Sequence, residues 1–170
     1  MKVIIEGCDL TGKTTLINKL KNYYNDDRLS YLHFSYKDRT DYEFYNTILD
    51  KENFIADRHF LDEIIYSEIF NRKCGLTAEE YLNLIMKCKK NNIKILILTS
   101  DNKTLLNRLL NRGEDEKEVR DNLFKINDYF KKLSKEFYFP LIDTTKVSFE
   151  EIINYIEGEE NEKYKSYMYK

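Results

Sequence analysis

The sequence has little of what marks secreted or polyanion-binding proteins. Its three cysteines, Cys8, Cys74 and Cys88, are odd in number and have no paired spacing, which argues against a disulfide framework and favours a reducing compartment. The chain also lacks a large excess of either charge, because its 28 basic residues nearly balance its 30 acidic ones. No net field therefore attracts a nucleic acid or an anionic membrane, so any polyanion must be held locally.

Long apolar runs are absent as well. No stretch approaches the roughly 18 apolar residues of a membrane span, and Met1 leads into a predicted strand with no room for a signal peptide. We therefore expect a cytoplasmic protein with no membrane partner. No repeat or interdomain linker is visible in the 170 residues, and a hydrophobic content of 42% is enough for one core. The sequence predicts one domain over residues 1–157 and a polar tail over 158–170.

What the sequence does contain is a phosphate-binding motif. The eight residues from Gly7 to Thr14 read Gly-Cys-Asp-Leu-Thr-Gly-Lys-Thr and follow a short apolar run. The two glycines permit a tight turn, so that backbone N–H groups and the N-terminus of the next helix face a polyphosphate. Lys13 then reaches the β- and γ-phosphates, and Thr14 can bind Mg²⁺. The motif predicts a complete P-loop.

Hydrophobic periodicity predicts alternating strands and helices along the whole chain. Short apolar runs predict strands at Val3–Ile5, Leu29–Phe34, Phe54–Ala56, Ile93–Leu98 and Phe139–Ile142. Helical spacing predicts helices after the P-loop, from residue 61, over about 78–90, 105–113, 115–137 and 149–156. No element is assigned to 35–53. Such alternation gives right-handed crossovers. The predicted fold class is α/β, with three layers and a parallel sheet of about five strands.

Candidate functional residues follow the strands, because ligands of parallel sheets bind beyond the strands' carboxyl ends. Asp57 is a candidate for Mg²⁺ binding or general-base catalysis, or it forms a structural ion pair. Arg58 offers a planar fork for a phosphate, or a surface salt bridge. Asp9, inside the loop, could accept a hydroxyl of a second substrate or cap local N–H groups. His59 is assigned no role, because a lone histidine is more often packed than catalytic.

Two arginines indicate a lid. Arg108 and Arg112 are four residues apart on one predicted helix, which gives way at Gly113 to an acidic segment. A lid over about 108–118 would exclude water and bring positive charge to a transferring phosphoryl group. The alternative is a solvated face whose arginines pair with the acidic residues of 114–118.

Together these residues resemble the thymidylate kinase family. The matching segments are Glu6 to Thr15, Asp57-Arg58 and Arg108 to Asp115, in the family's order, and the resemblance reaches the closing helix. It implies a P-loop kinase fold and transfer of the ATP γ-phosphate, with Mg²⁺, to a deoxynucleoside monophosphate, with dTMP favoured. Leu10 stands where some relatives carry an arginine, which implies that this chain depends on the lid.

The resemblance also implies site residues. Nucleotide-binding residues would be Gly7, Asp9, Thr11, Gly12, Lys13, Thr14, Thr15 and Thr144. Asp9 would contact the acceptor's sugar hydroxyl, and Thr144 lies where the family's adenine-contacting loop would be. Catalytic residues would be Lys13, Asp57, Arg58, Arg108 and Arg112. Thr14 and Asp57 would hold the metal.

The identity of the acceptor substrate is left open, because the segment over about 35–53 departs from the family pattern. It is shorter than in typical thymidylate kinases and lacks an Arg-Glu-Pro element. A nucleoside kinase, or a kinase of hydroxymethylated bases in DNA that acts in the host cytoplasm if phage-encoded, is one alternative. A nucleotide-binding regulatory module is another, although no Asn-Lys-x-Asp sequence supports a GTPase. The apolar positions of 61–70 fit a homodimer stripe or the core equally well.

Overall fold

A computed structural model of the chain describes residues 1–35, 41–113 and 117–158. In chain order its elements are β1 (Lys2–Glu6), α1 (Lys13–Tyr24), β2 (Ser30–His33), α2 (Tyr42–Leu49), β3 (Phe54–Asp57), α3 (Leu61–Ile69), α4 (Ala78–Lys90), β4 (Lys94–Thr99), α5 (Asn102–Asn111), α6 (Lys117–Phe137), β5 (Leu141–Asp143) and α7 (Phe149–Glu157). Residues 114–116 of the predicted lid and 159–170 of the predicted tail lie outside the described residues.

The five strands form a parallel sheet in the order β2-β3-β1-β4-β5. In the register of β1 and β3, Lys2 lies opposite Phe54 and Ile5 lies opposite Asp57. The side chains of Val3–Ile5 are wholly buried, as expected for a parallel sheet that helices cover on both faces. The predicted α/β fold class and the five-stranded parallel sheet are confirmed.

Helix α2 lies in the segment for which the apolar pattern predicts no helix. It begins after Asp41, whose side chain accepts the N–H of Phe44 at 3.0 Å. Its buried residues are Tyr45, Ile48 and Leu49, spaced three and four apart. The signal was present in the sequence, but the many aromatic residues around it conceal the helical spacing.

The chain divides into two compact units, which are described separately. The first consists of Met1–Glu6 and Ile17–Ile95, and its core includes Phe54, Phe60 and Leu84. It carries Asp57 and Arg58. The prediction of a single domain over 1–157 stays a prediction.

The second unit consists of Gly7–Leu16 and the chain from Leu96 onward. It contains the P-loop, and its core includes Leu98, Leu105 and Phe130. The side chains that contact the P-loop, described below, also belong to this unit.

The apolar stripe of α3 belongs largely to the core of the first unit. Leu61 and Ile65 have no exposed surface in the chain, so these positions pack internally, and a homodimer stays a prediction. Among the helices that the structure describes, none has both the length and the apolar character needed to cross a bilayer.

Candidate functional site

The predicted P-loop is a tight turn between β1 and α1. Gly7 has a φ of +139°, and a Cβ atom added to it would lie 2.5 Å from the carbonyl oxygen of Leu98. Gly12 has a φ of +94°, and its added Cβ would lie no closer than 3.7 Å to Thr144. Glycine adopts both conformations without strain. The first glycine is therefore required for space and conformation, and the second for conformation alone.

Alanine substitutions separate these two requirements. We expect Gly7→Ala to lower the free energy of unfolding by about 3 kcal/mol, because its Cβ meets a backbone carbonyl of a buried strand that cannot move aside. Gly12→Ala should cost only about 1 kcal/mol, the strain of the left-handed backbone. Urea unfolding of the two variants measures the difference. Equal losses would contradict the close approach of Gly7 to Leu98.

Lys13 is buried against the loop that it follows. Its Nζ atom donates hydrogen bonds of 2.8 Å to the carbonyl oxygens of Gly7 and Cys8, and the side chain is 7% exposed. The hydroxyl of Thr11 donates to the same Cys8 oxygen at 2.8 Å. A positive charge is thus fixed at the N-terminus of α1, where the helix dipole also favours an anion.

Three further P-loop residues are open to solvent. Asp9 is exposed within the loop, and Thr14 and Thr15 are exposed in the first turn of α1. The hydroxyl of Thr14 is therefore accessible to a hydrated cation, which fits its predicted role toward Mg²⁺.

The predicted residues Arg108 and Thr144 contact the backbone of the P-loop. The Nη1 atom of Arg108 donates to the carbonyl oxygen of Leu10 at 2.6 Å. The hydroxyl of Thr144 donates to the carbonyl oxygen of Thr11 at 2.9 Å. The hydroxyl of Ser100 is bonded by the guanidinium of Arg108 at 3.3 Å and by the hydroxyl of Thr144 at 3.1 Å. The sequence assigns no role to Ser100.

Arg112 differs from Arg108 in its surroundings. It is exposed and forms the C-cap of α5, where its N–H donates to the carbonyl oxygen of Leu109 at 3.0 Å. Its guanidinium is therefore accessible to a ligand, as a lid arginine requires.

Asp57 ends β3 with one carboxylate oxygen committed to a partner. Its Oδ2 atom lies 3.0 Å from Nδ1 of His33, which stands opposite it on β2. Its Oδ1 atom is buried and has no hydrogen-bond partner among the described residues. A buried acceptor of this kind is costly unless something satisfies it. Asp57 thus fits the predicted contact with a hydrated Mg²⁺ or a hydroxyl group.

Arg58 is held in an uncommon conformation. Its φ is +69°, and its N–H donates to the carbonyl oxygen of Ile5 at 2.9 Å. The guanidinium donates to Asp62 at 3.2 Å and to the hydroxyl of Tyr66 at 3.1 Å, and it lies 5.4 Å from the centre of the Tyr66 ring. Asp62 therefore balances part of the charge that the sequence assigned to a phosphate.

Glu6 has a structural partner that the sequence did not indicate. It is wholly buried, and its Oε1 atom accepts the N–H of Leu61 at 3.2 Å. This contact satisfies one of the N–H groups that every helix leaves unpaired in its first turn. Glu6 thus fixes the start of α3, the helix that carries Asp62 and Tyr66.

His59 is a buried histidine in an aromatic cluster formed with Phe34, Tyr45 and Phe60. It is 1% exposed, and neither ring nitrogen has a hydrogen-bond partner within the described part of the chain. Burial lowers the pKa of His59 from 6.5 to about 3, so the ring is neutral at physiological pH. The burial agrees with the expectation that a lone histidine is more often packed than catalytic.

Comparison with known proteins finds one similar sequence and several similar solved structures. No family model matches the chain. It is 28% identical over 150 residues to a probable thymidylate kinase from Methanocaldococcus jannaschii, covering 88% of this chain and 71% of the relative. The YorR protein from Bacillus subtilis, solved in complex with phosphorylated GDP, matches with a TM-score of 0.77 at 23% identity, over 93% of this chain and 94% of that one.

A second solved structure is more distant. Deoxyadenosine kinase from M. mycoides, solved with the products dCMP and a flexible dCDP, matches with a TM-score of 0.55 at 18% identity, over 94% of this chain and 100% of that one. The resemblance to thymidylate kinases that the motifs indicate is thereby confirmed, and the chain has the α/β fold of the P-loop kinases.

Proposed function

We propose that the protein transfers the γ-phosphate of ATP to a deoxynucleoside monophosphate, with dTMP as the favoured acceptor. The observation that carries the proposal is the P-loop, in which glycine geometry and the buried amine of Lys13 form an anion site at the head of α1. The similarity to a thymidylate kinase supports a nucleotide kinase and makes dTMP the first acceptor to test.

Donor binding is assigned to the loop and the first turn of α1. The amides of residues 7–15 would surround the phosphates, and Lys13 would neutralise the β- and γ-phosphate oxygens. Thr14 and Asp57 would hold Mg²⁺, which when bound neutralises charge on the phosphates. The described residues contain no ready-made group of three His, Cys, Asp or Glu ligands. A cation held by few protein groups together with substrate phosphates is the usual arrangement for Mg²⁺.

Acceptor binding is assigned to Asp9 and Arg58. The exposed carboxylate of Asp9 would accept a hydroxyl of the acceptor's sugar. Arg58 would bind the acceptor phosphate, with Asp62 and Tyr66 orienting its guanidinium. Catalysis would then rest on positioning and charge stabilisation, with little proton transfer by side chains.

The direct test is a coupled assay of ADP release across nucleoside monophosphates. We expect dTMP, or another deoxynucleoside monophosphate, to stimulate release strongly in the presence of Mg²⁺ and ATP. If no monophosphate stimulates ADP release by protein that is folded and binds Mg·ATP, the proposed function is wrong.

Arg112 tests the predicted lid. We expect Arg112→Ala to lower kcat by roughly a hundredfold or more and to raise KM much less, because its charge is needed mainly in the transition state. Steady-state kinetics give both constants. Arg28→Ala is the control, because Arg28 is a surface arginine that pairs with Asp26 at 2.9 Å, and its kcat should stay at the wild-type value. An unchanged kcat in Arg112→Ala would refute the lid assignment.

One contact favours a second candidate, a nucleoside kinase. A nucleoside has no phosphate for Arg58 to bind, and the ion pair with Asp62 already balances part of the guanidinium's charge. Competition between thymidine and dTMP as acceptors separates the two candidates. Faster transfer to thymidine than to dTMP would mean that the protein is a nucleoside kinase and not a monophosphate kinase.

A further inference from the structure

The loop after β5 reaches the P-loop through a chain of hydrogen bonds. Ser100, which is 1% exposed, lies between Arg108 and Thr144. A guanidinium only donates, whereas each hydroxyl can accept one hydrogen bond and donate another. One direction satisfies every member: Arg108 donates to Ser100, Ser100 donates to Thr144, and Thr144 donates to the carbonyl oxygen of Thr11. The last of these bonds is 2.9 Å long.

This chain determines which way the P-loop peptides face. In a planar trans peptide the C=O and the next residue's N–H point in opposite directions. Because Thr144 holds the carbonyl oxygen of Thr11, the N–H of Gly12 is turned to the other side. Arg108 does the same for the N–H of Thr11 by holding the carbonyl oxygen of Leu10 at 2.6 Å.

The lysine of the loop acts on two earlier peptides in the same way. Lys13 holds the carbonyl oxygens of Gly7 and Cys8, which turns the N–H groups of Cys8 and Asp9 away from its amine. Four amides are thus oriented by donors on their carbonyl side. Two of those donors, Arg108 and Thr144, come from outside the loop and bond the carbonyl oxygens of Leu10 and Thr11.

We propose that Thr144 is a positioning residue for the polyphosphate part of the donor nucleotide. It is the last member of the Arg108-Ser100-Thr144 chain, and by holding the carbonyl oxygen of Thr11 it orients the N–H of Gly12. The inference rests on the proposed nucleotide binding and assigns Thr144 a different role from the adenine contact that the family resemblance implies. Its hydroxyl serves the phosphates that ATP and inorganic tripolyphosphate have in common.

A matched pair of variants tests the hydroxyl. Thr144→Val keeps the branched shape beside Gly12 but removes the donor, whereas Thr144→Ser keeps the donor and removes the methyl group, which is 3.9 Å from the Cβ position of Gly12. Isothermal titration calorimetry with ATP and with tripolyphosphate gives the affinities. We expect Thr144→Val to weaken both ligands by the same factor, about tenfold, the value of one hydrogen bond. Thr144→Ser should bind both nearly as well as wild type.

The other outcomes overturn the inference. If Thr144→Val lost affinity for ATP but not for tripolyphosphate, Thr144 would instead have the adenine contact that the family resemblance implies. If Thr144→Ser bound both ligands weakly, whatever the affinities of Thr144→Val, packing of the methyl group would be the feature that matters. If Thr144→Val does not fold, Thr144→Ala removes the same hydroxyl and must show the same equal losses. Wild-type protein that binds neither ligand would overturn the proposed function itself, before any variant is compared.

Discussion

Lys13→Met is expected to reduce phosphoryl transfer by roughly a thousandfold, more than any other substitution proposed for this site. Methionine has a similar length but no charge, so negative charge that develops on the phosphates would lose its buried counter-ion. The amine also holds the carbonyl oxygens of Gly7 and Cys8, so the same change loosens the loop. The coupled ADP-release assay measures the loss, and circular dichroism verifies the fold.

A lysine on the same helix supplies the control. Lys19 is exposed on α1, five residues beyond the P-loop, and Lys19→Met removes one positive charge from the same helix. Its rate should stay close to wild type, which separates the local charge from the overall charge of the helix. A rate for Lys13→Met within about tenfold of wild type would exclude Lys13 from the transfer step.

Acid is expected to destabilise the protein through His59. Burial lowers the pKa of this histidine to about 3, whereas the unfolded chain takes up the proton near pH 6.5. Below pH 6.5 the unfolded state therefore binds more protons than the folded state, and stability falls as the pH falls toward 3. The contribution is complete above pH 6.5, and about 2 kcal/mol of it is lost by pH 5. Urea unfolding at pH 7 and pH 5 measures the change.

His59→Phe should remove this part of the pH dependence. Phenylalanine suits the surrounding rings of Phe34, Tyr45 and Phe60 and eliminates two buried nitrogens that lack partners among the described residues. Carboxylates titrate alike in both proteins, so the difference between wild type and variant isolates the histidine. An identical slope in wild type and His59→Phe would contradict the burial of a neutral ring.

The parts of the fold that follow simple patterns were predictable. Val3–Ile5 and the buried run of β4 are continuous apolar segments that end at turn residues, which favours parallel strands. The P-loop was predictable because its glycines are fixed by backbone geometry, and a φ of +139° at Gly7 leaves no other residue. Helix α2 was missed because Tyr45 and its aromatic neighbours suit strands and packed loops as well as helices.

The partners of the predicted site residues could not be read from the sequence. Arg108 lies 98 positions from Leu10, and Glu6 lies 55 positions from Leu61. Neither pair belongs to a local pattern, because tertiary packing brings them together. The sequence thus identified Arg108 as a useful charge but did not show that Arg108 bonds the loop. It favoured a packed His59 without identifying the rings that surround it.

Leu10 carries a cost that bears on how this protein can be improved. It is a branched, non-glycine residue with a φ of +66°, a conformation that costs roughly 1–2 kcal/mol. Glycine at this position would relieve that strain, so a screen for heat resistance alone would select it. The same change would widen the range of backbone angles beside the carbonyl group that Arg108 holds. Heat resistance and a well-ordered phosphate loop would thus be selected in opposite directions at one residue.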